Sequence, residues 1–533
     1  MIGEGSLLMK IRISKLFLLA LLSIFMLSAC SEESSSESAN STKEKADDKT
    51  LDVAIDATPP SLDPHVSTAV ATGQIATAIF ETLVSYDENY EVQPSLAKSI
   101  EVSEDGKTYT FPLRDVTFHN GDTLTSADVK ASLERWGRIS LFGRATMKGV
   151  TVEAPDEKTV VLTLEKPSTT LLDDLAYPTG QAAYILPKSI LDEAGDDVVK
   201  ELVGTGPYKF VEWAQDQYIH VEKYEDYQNP AGEGSGLAGA KTLAYDDIFY
   251  HIVVDASTRL NGLLSGEYDY AKSLTTDKYD ELKNNKDITT TTIEPGMYPG
   301  LIFDTTEGFF SDPVARQALS AALNFDEIMF GAAGHKDFYR LDPGLMMKEQ
   351  KKWYTDAGSD LYNKQDTERA KKLFKEAGYN GETITIMTTQ DYPFMYNTAI
   401  VIQDQLAKVG VKVKLDVFDW PTLLANRADR SKWDAFTSSF PFVGQPGQTL
   451  FLYSANKHSS GYASPEMDGY LDEVRYASTQ EEAFAAWEKA QALYWEDIPV
   501  IKFGDLNYLD GSRNGLTVDN LFGIEIFWNV DKK

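Results

Sequence analysis

The sequence predicts an α/β fold built from more than one subdomain, and three observations carry that expectation. Helix-period and strand-period segments alternate through the second half. About 480 residues of folding length exceed what one core supports. A single cysteine excludes an intrachain disulfide framework, so the core must form by burial alone.

The elements follow in chain order. Leu51–Ile55, Thr108–Phe111 and Val160–Leu164 are short runs with strand character. Thr125 and Asp128 have the capping-box spacing, a hydroxyl and a carboxylate three residues apart, and predict a helix over Val129–Trp136. Gly232–Gly239 reads as a glycine-rich loop. Asp312-Pro313 supplies an N-cap and a first-turn proline for a helix through Val314–Leu323. Thr367–Ala377 places Ala370, Leu373, Phe374 and Ala377 on one face and stops at Gly378. A strand over Thr383–Met387, a helix through Ile402, Leu406 and Val409, and a strand alternating at Val411, Val413, Leu415 and Val417 complete the pattern.

Ahead of these elements, a cationic lead (Lys10, Arg12, Lys15) precedes an apolar run from Leu16 to Leu27. The run is too short to span about 30 Å of hydrocarbon as a stable helix, and it ends in small residues, so it predicts a secretory signal over residues 1–29. Met9 opens this signal, which raises the alternative of a start at Met9 rather than Met1. Leu27-Ser28-Ala29-Cys30 resembles a bacterial lipobox, which implies lipid attachment at Cys30. Residues 30–50 are rich in Ser, Glu, Asp and Lys and read as a flexible tether. The net charge of −32 makes nucleic acid an improbable partner and requires any membrane attachment to come from acyl chains.

Enzymatic constellations are absent from the sequence. His65, His119, His220, His251, His335 and His458 are scattered, with no HExxH pair, so no metal site and no cofactor are expected. There is no G-x-S-x-G elbow and no Walker lysine. Gly234, Gly236 and Gly239 match a dinucleotide-binding spacing, but a polar stretch precedes them, and an exposed loop is the expected reading.

Colinear motifs narrow the reading to a binding role. Ser61-Leu62-Asp63-Pro64-His65, Asp105–Arg114, Val116–Asp122, Gly204–Phe210, Ser265–Asp269, Val314–Leu319 and Ser464–Asp468 together resemble the peptide- and nickel-binding family of ABC-importer solute receptors. The resemblance runs from Leu51 to Val530. It implies a large periplasmic-binding-protein-like clamshell, two α/β lobes with an extra subdomain in the first. Lobe I is expected over 51–303, including the extra subdomain at about 90–215, lobe II over 304–498, and a return to lobe I over 499–533. Crossovers are expected near Leu301–Asp304 and Ile498–Ile501.

The same resemblance implies no catalysis, a peptide or other small solute as cargo, and the transmembrane subunits of an ABC permease as partners. It also implies an extracytoplasmic, lipid-anchored, monomeric protein. Trp420, Arg427 and Tyr298 fall where the family lines its cleft. Phe440, Phe442 and Gln445 are further candidates, in a segment where peptide receptors carry an amine-pairing aspartate. Here no Asp or Glu occurs between Asp434 and Glu466. Short peptides are the first expectation. An opine, a sugar-acid conjugate or a nickel chelate is the alternative, because a buried ammonium without a paired anion is costly.

Overall fold

The computed structural model describes residues 49–530, so the expected signal, Cys30 and most of the tether lie outside the described residues. β1 (Thr50–Ile55) starts one residue before the expected Leu51, and the Lys49 carbonyl already accepts the Asp246 N–H at 2.7 Å. The tether boundary at residue 50 therefore falls inside the first strand. Among the described residues no helix is long and apolar enough to cross a membrane.

Strands β2 (Val84–Tyr86) and β3 (Val92–Pro94) make a two-stranded ribbon. A separate four-stranded sheet contains β4 (Glu101–Val102), β5 (Thr108–Pro112), β6 (Val150–Asp156) and β7 (Thr159–Leu164) in the order β4-β5-β7-β6. The helix Ser126–Ile139 packs against it. At its start Asp128 accepts hydrogen bonds from the Thr125 N–H (2.9 Å) and hydroxyl (2.7 Å), so the capping pair does form.

Apart from a short ribbon of Asp519–Leu521 with Ile524–Ile526, the other strands build one large twelve-stranded sheet. It contains β8 (Tyr208–Ala214), β9 (Tyr218–Lys223), β10 (Asp247–Ile252), β11 (Tyr270–Leu274), β12 (Ile288–Phe303) and β13 (Tyr339–Arg340). It continues with β14 (Thr383–Thr389), β15 (Lys412–Phe418), β16 (Ala435–Phe440), β17 (Val500–Lys502) and β18 (Asp505–Arg513). With β1 included, the order is β15-β14-β16-β12-β18-β11-β1-β10-β9-β8, while β13 lies on β18 and β17 on β12. Because β8 belongs to this sheet, the separate small sheet ends well before residue 215.

β12 is the strand that joins the two halves. Its first part, Ile288–Met297, pairs with β18; its last part, Tyr298–Phe303, pairs with β16, and Gly300–Ile302 also pair with β17. The partner switch falls between Met297 and Tyr298, a few residues before the expected Leu301–Asp304. The second crossing runs from Lys502 at the end of β17 to Asp505 at the start of β18, just after the expected Ile498–Ile501.

The motif at Ser61–His65 has a structural role in the first half. Asp63 forms a buried ion pair with Arg135 (2.7 Å), and both side chains are essentially inaccessible. Asp63 also accepts the Val199 N–H at 3.1 Å. Arg135 reaches His65 Nδ1 at 3.1 Å, and His65 Nε2 donates to the Tyr184 carbonyl at 2.8 Å. Burial pushes the His65 imidazole down to about 4, so it is neutral and can accept from the guanidinium. Replacing one member of such a pair strands the other charge. Arg135→Met is expected to lower unfolding stability by about 3–5 kcal/mol in a urea titration, an effect that a surface substitution such as Arg138→Met will not reproduce.

Candidate functional site

In open α/β sheets, ligands bind outside the carboxyl ends of the strands. Two sets of such ends converge here. In the first half, β1 runs parallel to β10 and β11, and its carboxyl end leads into Asp56. In the second half, β14 runs parallel to β15 and β16; its carboxyl end leads to Asp391 and Tyr392, that of β15 to Asp419 and Trp420, and that of β16 to Phe440 and Phe442.

The registers on β12 show that these ends point toward one another. Ile293 pairs with Tyr508 of β18, and five residues on Tyr298 pairs with Phe440 of β16. At the end of β1, Asp56 Oδ2 accepts a hydrogen bond from Ser273 Oγ at 2.8 Å.

The six expected side chains fall into three sets. Trp420 opens the helix Trp420–Asn426, and Arg427 follows its last residue, beyond the carboxyl end of β15. Asp391 accepts the Trp420 N–H at 2.7 Å, Asp419 caps the helix Trp420–Asn426 through the Thr422 N–H at 2.9 Å, and the Trp420 ring stands edge-on to Tyr392 (5.2 Å, 87°). Arg427 is half-buried. Its one recorded hydrogen bond is a long one to the Leu424 carbonyl (3.5 Å), and among the described residues it has no ion-pair partner. His458 lies close to it. Burial first, and the Arg427 charge second, push the His458 imidazole down to about 4.

Tyr298, Phe440 and Phe442 form a packed ring cluster instead. Tyr298 stacks on Phe440 (5.3 Å, 22°) and lies 5.2 Å from Phe442. The Lys502 ammonium, fully buried, sits 5.3 Å from both the Tyr298 and Phe442 centroids. Cation–π attraction satisfies part of its charge, and Asp505 at 2.6 Å the rest.

Gln445 requires a correction. Its Nε2 donates to Asp174 (2.9 Å) and its Oε1 accepts the Gly447 N–H (2.6 Å), so both ends of the amide are committed within the protein. Asp174 belongs to the helix Leu171–Ala176, far away in sequence, and it accepts from Gln448 (2.8 Å) as well. Its neighbour Asp173 pairs with Lys352 at 2.6 Å, and the Tyr177 hydroxyl donates to the Phe442 carbonyl at 2.9 Å. The segment that lacks an acid of its own therefore receives one from the first half of the chain, and Gln445 holds the two halves together.

Cavities lie elsewhere among the described residues, including one of about 300 Å³ beneath the Gly232–Gly239 loop, one of about 220 Å³ between Asp174 and Arg475, and an open one of about 420 Å³ between Lys166 and Tyr476. The strand-end cleft carries the candidate site because charged and aromatic groups from both halves converge on it. Gly232–Gly239 itself is a turn closed by a Ser235–Ala238 bridge, with no apolar strand leading in. No group of three or more His, Cys, Asp or Glu able to hold a metal occurs among the described residues.

Comparison with known proteins fits this geometry. Residues 91–462 match the family model of bacterial extracellular solute-binding proteins, family 5. The chain belongs to that family. Relatives of this family 5 protein include a probable peptide ABC transporter periplasmic-binding protein of Sinorhizobium fredii, 27% identical over 497 residues, covering 88% of this chain and 91% of that protein. A glutathione-binding protein of Pectobacterium atrosepticum is 27% identical over 507 residues, covering 89% and 93%. Among solved structures, the periplasmic binding protein AgaA of A. tumefaciens, in complex with agropinic acid, superposes with a TM-score of 0.76. It is 29% identical and covers 91% of this chain and 99% of that one. DppA of Helicobacter pylori, in complex with a peptide, also superposes at 0.76, at 24% identity over 91% and 98%. The fold is thus the two-lobed clamshell of extracytoplasmic ABC-importer receptors.

The contacts of Tyr392 with Trp420, Asp173 with Lys352 and Asp174 with Gln445 were not legible in the sequence, because packing between distant segments brings them together. With its pKa near 4, His458 is expected to stay neutral through pH 5. A histidine-resolved NMR titration in which it protonates near 6.5 would show that it is neither buried nor beside Arg427.

Proposed function

We propose that this solute-binding protein captures short peptides in the interlobe cleft and delivers them to the transmembrane subunits of an ABC permease. Lobe I spans 51–303 and 499–533, and lobe II spans 304–498, with the protein held at the membrane by lipid on Cys30. Arg427 is the observation that carries the reading: a half-buried guanidinium without a carboxylate partner, at the edge of a cleft, suits the carboxylate of a bound peptide. Trp420, edge-on to Tyr392, offers an apolar wall for a side chain. Tyr298, Phe440 and Phe442 back the cleft rather than filling it with polar groups. Closure follows clamshell logic, because only the closed form touches the solute from both sides.

A second reading, an opine-like or other non-peptide acid conjugate, is favoured by one observation. Phe442, buried and apolar, stands in the segment where an anion for a peptide amine was expected.

Small molecules released by denaturing the purified protein and identified by mass spectrometry decide between the two. Peptides support the first reading; a uniform non-peptide acid replaces it. Arg427→Ala is expected to weaken binding of peptides with a free carboxylate by about tenfold or more, and to leave their amidated forms unaffected. Cys30→Ala is expected to move the protein from the detergent-rich to the aqueous phase on Triton X-114 partition. An unchanged distribution removes the lipid anchor from the account.

A further inference from the structure

Beyond the helix Val70–Ile79, the first half of the chain and the C-terminal segment enclose a cavity of about 30 Å³. Every residue that lines it is buried, among them Thr77, Glu81, Ser95, Tyr184, Lys241 and Trp528. Two of these bury a polar atom that has no hydrogen-bond partner within the protein among the described residues. One is an acceptor, Glu81 Oε2, and the other a donor, Trp528 Nε1. Glu81 is 5% exposed and Trp528 4%, so neither atom reaches bulk solvent. Groups so deeply buried are paired almost without exception in folded proteins, directly or through ordered water.

The neighbours of Glu81 leave that second oxygen open. Its Oε1 accepts the Tyr227 hydroxyl at 2.9 Å and Arg114 Nη2 at 3.4 Å, and it lies 3.5 Å from the Lys241 ammonium. Arg114 is further occupied by the Ser95 and Gln228 carbonyls, both at 2.6 Å. Lys241 donates to the Tyr227 hydroxyl at 2.9 Å and stands 5.5 Å from the centre of the Trp528 ring. With contacts to Tyr227 and to Glu81 Oε1, the ammonium retains a third N–H. The cluster therefore offers two donors and one acceptor that nothing in the protein has answered.

Size and polarity select the occupant. A water needs roughly 10–15 Å³ of such space and two to four polar partners, and this cavity supplies both while excluding a larger solute. A cation placed here would meet the Lys241 ammonium, and an anion the open oxygen of Glu81. A small neutral molecule that both accepts and donates answers the two unpaired atoms at once. We propose that the cavity is a binding site for structural water, which accepts from the Trp528 indole N–H and the spare Lys241 N–H and donates to Glu81 Oε2. The water thereby ties the C-terminal segment to the chain just past the helix Val70–Ile79. It acts beside the direct bonds from Gln74 to the Glu525 carbonyl (2.8 Å) and from the Glu525 N–H to Gln74 (2.9 Å).

The test is a crystal structure of the full chain at a resolution that shows ordered water, with a second crystal soaked in bromide and recorded at the bromine absorption edge. The expected result is a density peak within hydrogen-bonding distance of both Glu81 Oε2 and Trp528 Nε1, with no anomalous signal after the soak. In solution, the Trp528 indole proton, assigned by its loss in Trp528→Phe, is expected to show a nuclear Overhauser effect to water with the sign of a long-lived bound molecule. A bromide peak in the cavity overturns the proposal in favour of an anion. A cavity without density, or an indole proton with no cross-peak to water, overturns it in favour of a dry site.

Discussion

The structure depends on how charge is buried at the crossing between the lobes. Lys502 closes β17 with its ammonium wholly inside the protein, paired with Asp505 at 2.6 Å and with Asp342 at 3.9 Å. Arg340, paired to β18 through β13, contacts the same Asp505 at 2.6 Å and grips Glu349 with both terminal nitrogens. Lys348 meets the far oxygen of Asp342 at 3.0 Å. Three cations thus answer three anions. In a low-dielectric site that balance is what makes the arrangement tolerable, since a single unpaired member would cost several kcal/mol. The network pins β13, β17 and β18 at the point where the chain passes from one half of the sheet to the other, so the crossing is a fixed pivot rather than a loose linker.

A fixed pivot explains why the site takes the form it does. β12 continues through both halves, so the carboxyl ends of the parallel strands on either side are held facing one another at a set spacing. The clasp of Asp173 and Asp174 on Lys352, Gln445 and Gln448 adds a second contact between the halves. Solute binding in such a frame needs no catalytic group, only differential contact between open and closed forms.

Much of the fold was legible in the sequence because local rules governed it. The Thr125–Asp128 pair, the Asp312 cap with its following proline, and the apolar alternation of β14 and β15 are decided within a few residues, and the structure forms each of them. The site was legible only where it rides on such a local element. Trp420 and Arg427 follow a recognisable cap at Asp419, whose side chain accepts the Thr422 N–H. Gln445 could not be read correctly, since its partner Asp174 lies far back in the chain and meets it only after the lobes pack. Asp56 carries no signal of its own, because a lone aspartate after a strand is common.

The central claim is that two lobes close over a solute about the β12 and β17–β18 crossings. Spin labels at Val254→Cys in the first lobe and Ile400→Cys in the second, both exposed positions, in a Cys30→Ser background, give the interlobe distance directly by double electron–electron resonance. The account predicts a broad distribution for the stripped protein that shortens and narrows when the solute recovered from the native protein is added back. A distribution identical with and without that solute would contradict it.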